Sequence, residues 1–123
     1  GRFEMKKAPP QVMNFIKNPE TFNETAFETA MRNEVEILKG KLSASEELLV
    51  GMLVMTVKTL VDAHKIILAQ GYIEQYSAGP AMSPWIKVRT ECLDKSVKIL
   101  KELALMNKTN RKPSEVDELF ETA

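Results

Sequence analysis

A chain of 123 residues carrying 17 basic and 17 acidic side chains is long enough for one ordinary domain, and its balanced charge gives no overall pull toward nucleic acid or a membrane surface. A domain of this length hides roughly two-thirds of the surface its unfolded chain exposes, so it needs no metal or disulfide staple. The lone Cys92 cannot form an internal disulfide, and no secretory signal pattern opens the chain, so the expected compartment is the cytoplasm. The most apolar run, Leu48 to Val57, is bounded by Glu46, Glu47 and Lys58 and is about half the roughly 20 residues that cross a bilayer. It predicts a core helix and no membrane association.

Residues 1–18 mix two prolines with Val12, Met13, Phe15 and Ile16 and show no long period. They read as a flexible arm with a helical turn or two after Pro10. Asn18 before Pro19 is a helix-start pair, because the Asn side chain accepts from first-turn amides and proline lacks the amide that would go unpaired. Phe27, Ala30, Met31, Val35 and Leu38 recur at spacings of three and four, and Lys39–Gly40 supplies a basic last turn and a stop. The first helix is therefore expected over residues 19–39.

Ser43 and Glu46 have capping-box spacing and open a second helix that runs to Gly71. Two adjacent apolar stripes follow, Leu49, Leu53, Val57, Leu60 and Ile67 beside Val50, Val54, Val61 and Leu68, and only the line Lys58, Asp62, Lys65 reads as fully solvated. A helix this apolar must be covered on more than one side. The segment GYIEQYSAGPAMS, residues 71–83, reads as a loop of thirteen residues without strand signals. Ser83 and Pro84 then start a third helix over residues 84–105, supported by Glu91–Lys95, Asp94–Lys98 and Lys98–Glu102 at four-residue spacing. After a polar, basic stretch, Pro113 opens a short acidic helix with Val116, Leu119 and Phe120 on one side. The expected fold is all-α: a long antiparallel helical hairpin with an N-terminal helix and a short C-terminal helix. The helical domain spans 19–112 and an acidic tail spans 113–123.

No catalytic set accompanies this frame. His64 is the only histidine and lies between Leu60 and Ile67 on an apolar helix face, where a structural role outweighs acid/base work. Cys92 reads as inert packing. No phosphate loop or metal-ligand spacing is present, so neither cofactor nor enzymatic activity is expected. An enzyme gathering His64 with carboxylates is the remote alternative. Of the seven methionines, Met31, Met52 and Met55 fit core packing better than a binding groove, and Trp85 plugs the open end of the hairpin as readily as it anchors a partner. Charge is uneven along the chain: residues 87–112 hold eight basic and three acidic side chains, whereas residues 113–123 hold four acidic and none basic.

Residues 36–112 resemble the phage small terminase subunits of the P27 type. The resemblance rests on G-K-L after a helix, S-A-S-E-E-L-L at a helix start, A-H-K-I-I-L-A-Q-G-Y before a loop, M-S-P-W, and L-K-E-L-A-L-M-N-K-T-N-R, with Glu46, Gly71, Pro84, the Leu100, Leu103 and Leu105 group, and Arg111 at the matching positions. It implies a non-enzymatic, ring-forming subunit for viral genome packaging. Such a subunit binds double-stranded viral DNA and delivers it to a separate large terminase subunit with ATPase and nuclease activity. The unlike reading is a helical protein-binding adaptor or chaperone-like module with no DNA role.

Three surfaces follow as expectations. The apolar stripes predict a homo-oligomer interface through Leu49, Leu53, Val57, Leu60, Val61 and Ile67. Basic side chains beside caps and turns, Lys39, Lys41, Lys108, Arg111 and Lys112, are the DNA-contact candidates. Val116, Leu119 and Phe120 would dock the tail on a partner, by resemblance the large subunit.

Overall fold

The computed structural model describes residues 8–76 and 79–106. It is all-α apart from one small hairpin. Pro10 opens α1 (Pro10–Lys17), and Val12 and Ile16, one turn apart, bury their side chains in the core. The helical turn or two expected after Pro10 is α1, and from residue 8 onward the segment packs into the domain core rather than forming a loose arm.

The helix expected from Pro19 is broken. Pro19–Thr21 form a single 3₁₀ turn, Phe22 is extended, and α2 (Glu24–Lys39) starts after Asn23, whose side-chain oxygen accepts the Ala26 N–H at 2.9 Å. The cause is tertiary. Phe15 of α1 meets Phe22 and Phe27 edge-on, with ring centroids 5.1 and 5.6 Å away. In one continuous helix those two rings would stand roughly 140° apart around the axis and could not both reach Phe15. α2 buries Phe27, Met31 and Val35 and stops at Gly40, whose φ of 86° suits a residue without a side chain.

α3 (Ala44–Gln70) is the spine of the molecule. Its start follows the capping-box expectation: the Ser43 hydroxyl accepts the Glu46 N–H at 3.2 Å, and Glu46 Oε1 accepts the Ser43 N–H at 2.8 Å. Gly71 ends it with φ of 91°. α1, α2 and the helix that follows all pack on α3, so its two apolar stripes are covered within one chain except at Leu68, which stays exposed, and Leu49, which is half-buried.

The segment expected to be a plain loop instead holds an antiparallel pair, β1 (Ile73–Tyr76) and β2 (Gly79–Met82), with Ile73 opposite Met82 and Tyr76 opposite Gly79. The Ser83 N–H donates to the Tyr72 carbonyl at 2.7 Å and fastens its base. Ser83 then caps α4 (Pro84–Glu102), which runs back antiparallel along α3. α4 ends one turn earlier than its apolar pattern suggested. The Leu105 N–H donates to the Leu100 carbonyl, the Ala104 N–H donates to the Lys101 carbonyl, and Ala104 takes the left-handed conformation with φ of 66°. This is a Schellman closure, with Leu105 and Leu100 both buried beneath it. The short helix expected after Pro113 lies outside the described residues.

Candidate functional site

The most constrained polar cluster lies where α1, α3 and α4 meet. His64 projects from α3 among buried neighbours. Its Nε2–H donates to the Ile16 carbonyl at 2.9 Å, and its Nδ1 accepts from the Arg89 guanidinium at 2.8 Å. One neutral tautomer satisfies both contacts, and a protonated ring would offer Arg89 a donor in place of an acceptor. Burial, and then the charge of Arg89, holds the His64 pKa below its ordinary value, and the Ile16 bond opposes this. Arg89 is 2% exposed and stacks over the Tyr72 ring at 5.7 Å from its centroid, tying the cluster to the hairpin base. A ring locked between a carbonyl and a guanidinium is a positioning device with no free edge for a substrate. The histidine therefore sits where the apolar pattern placed it. Its partner Arg89 was missed, although Arg89 shares the helix face of Ile86, Ser96 and Leu100 and so had to be buried.

The expected oligomer residues need correction. Leu53, Val57, Leu60, Val61 and Ile67 are sealed in the core of a single chain, and Leu49 is half-buried. Once α1, α2 and α4 cover α3, none of the five sealed side chains retains surface for a second copy. Met52 and Met55, read as core, are instead exposed, Met55 by 70%.

The basic candidates separate. Lys39 Nζ lies 3.0 Å from Glu46 Oε2 and bridges the end of α2 to the start of α3. The Ser43 amide and then Lys39 hold the Glu46 carboxyl below the usual carboxylate range. Lys41 is exposed in the turn between these helices. Lys108, Arg111 and Lys112, and the tail trio Val116, Leu119 and Phe120, lie outside the described residues. Arg32 makes the second tie between α2 and α3, reaching Glu28 at 3.2 Å and Glu47 at 2.6 Å. Of the solvated line, Lys58 pairs with Asp62 at 2.8 Å and Lys65 faces Glu20 at 3.8 Å.

The described surface also carries exposed apolar side chains. At the α2–α3 turn end, Ile37 is 83% exposed beside Leu38, and together with Glu34 and Leu105 they line a depression of about 240 Å³. At the opposite end, Leu68, Ile73, Met82 and Trp85 are exposed around the hairpin. Trp85 thus leaves part of its ring in solvent at this end rather than sealing it. Between the two ends, Met52, Met55 and Ile99 form the apolar part of a groove between α3 and α4. Among the described residues no group of three or more His, Cys, Asp or Glu side chains could hold a metal, and no helix is long and apolar enough to cross a membrane. Burial pushes the Cys92 thiol up, away from the thiolate form a nucleophile needs. No protein-family model, curated protein or solved structure matches the chain.

Proposed function

We propose that the chain is a ring-forming small subunit for viral DNA packaging that binds duplex DNA and hands it to a large motor and nuclease subunit. The observation that carries the assembly half of this reading is the pair of unlike apolar patches at opposite ends of α3, Ile37 with Leu38 and Leu68 with Ile73, Met82 and Trp85. Twenty-seven helical residues set these patches about 40 Å apart. Two different patches that meet between copies form a head-to-tail contact, and such contacts close into rings when the rotation allows. The likeness to small terminases supports the rest. Its matched positions Glu46, Gly71 and Pro84 all have helix-boundary roles here, which any helical hairpin requires, so the surfaces bear more weight than the motif.

On this reading Lys41 and the basic segment that follows Met106 contact phosphate, while Lys39 is held by Glu46 and contributes little. The test is a gel-shift titration with duplex DNA over a salt series. Phosphate contacts predict affinity that falls steeply as salt rises and depends weakly on sequence. No shift even at low salt would favour the adaptor reading, in which the same end patches bind only protein.

A further inference from the structure

The groove between α3 and α4 is a shallow depression of about 310 Å³ lined by Met52, Met55, Thr56, Lys95, Lys98 and Ile99. Its thioether and isoleucine surfaces form an apolar floor, and its α4 wall carries two ammonium groups. The expected helix pairs Glu91–Lys95, Asp94–Lys98 and Lys98–Glu102 are not formed. Glu91 faces Lys87 at 4.0 Å instead, and among the described residues no carboxylate lies within ion-pair distance of Lys95 or Lys98. A floor that takes apolar side chains beneath two uncommitted cations calls for an apolar segment flanked by acidic residues.

We propose that the acidic C-terminal segment, residues 113–123, docks back into this groove of its own chain, with Val116, Leu119 and Phe120 on the Met52–Met55–Ile99 floor and its carboxylates facing Lys95 and Lys98. The chemistry matches on both counts. In a helical turn the three apolar side chains share one face at spacings of three and four, and Glu115, Asp117, Glu118 and Glu121 flank them without a single basic residue. A helix of this length is too short to persist in water without a surface to pack on, since isolated helices below about 12 residues are marginal.

Chain length permits the return. Seven steps join Met106 to Pro113, a reach of about 24 Å, whereas Ile99 lies only about 5 Å back from the end of α4 along its axis. A tether this short holds the tail at an effective concentration of order millimolar, so a weak contact suffices to fill the groove. The depression at Ile37 and Leu38 is nearer the point where the chain leaves α4, but Glu34 lines it and repels an acidic segment. The inference stands apart from the packaging reading, because it concerns where the tail rests and needs neither DNA nor a second protein.

Disulfide trapping tests it in the full chain. In a Cys92→Ser background, Met55→Cys with Leu119→Cys samples the groove, and Ile37→Cys with Leu119→Cys samples the alternative patch. Both partner positions on the helices are exposed, so neither variant disturbs the core. The groove pair should form an intramolecular disulfide under mild oxidation about tenfold faster than the control pair, at a rate independent of protein concentration. Lys95→Glu with Lys98→Glu should slow it. Crosslinks mainly between chains, an equal or faster control pair, or no effect of the charge reversals would each overturn the proposal.

Discussion

Replacing His64 with leucine removes a side chain that joins α1, α3 and α4 through polar contacts. The Ile16 carbonyl loses the imidazole donor and the Arg89 guanidinium loses one of its contacts, both inside the domain. A neutral buried hydrogen bond contributes about 1 kcal/mol and one to a charged group about 1.5–3, so the variant should lose about 3 kcal/mol, with the added leucine surface recovering a part. For a domain near 100 residues that corresponds to a melting temperature lower by roughly 10–20 °C. The pH dependence separates this account from simple repacking. Because the folded His64 pKa is depressed, the unfolded chain binds the extra proton first, so the contribution is complete above about pH 6.5 and is lost as pH falls below it. Urea denaturation followed by circular dichroism, at several pH values from 7.5 to 5, should show the wild-type advantage over His64→Leu shrinking with acidification. A variant as stable as wild type at pH 7.5, or a difference that does not change with pH, would refute the role assigned to this cluster.

Other substitutions probe the backbone and the surface. Ala104→Gly should stabilise the chain by about 0.5–1 kcal/mol by relieving the left-handed conformation at the end of α4, and it should raise the melting temperature. Gly51 lies in α3 with open space where a Cβ would stand, so Gly51→Ala should add up to about 1 kcal/mol, read from the same thermal melt; a loss of stability would show an unrecognised close approach there. Neutralising Arg111 and Lys112 should weaken duplex binding across all sequences and flatten its salt slope, whereas unchanged binding would make that segment a solvated surface.

What the sequence made legible was local. Ser43 with Glu46, Gly71, and Ser83 with Pro84 mark helix ends because a side chain or a missing amide satisfies neighbouring backbone groups, and this chemistry is complete within four residues. The breaks around Asn18 and Phe22 were not legible, because Asn18 and Asn23 are equally good caps until Phe15 packs against two rings that follow it. The hairpin escaped notice because Gly79–Met82 lacks β-branched residues, and its pairing is secured by Tyr72, Ser83 and the packed helices at its base. An apolar stripe states that a helix face will be covered without stating by what. That is why Leu53 and Val57 read as an oligomer surface and proved to be core, while Met52 and Met55 on the same helix proved to be exposed.

The most direct test of the proposed assembly is the mass of the full chain in solution, measured by light scattering at micromolar concentration with and without Ile73→Glu at the hairpin end. Head-to-tail contact between the two end patches predicts a discrete multiple of the monomer mass that falls to the monomer in the variant. A monodisperse monomer for the unsubstituted chain would contradict it.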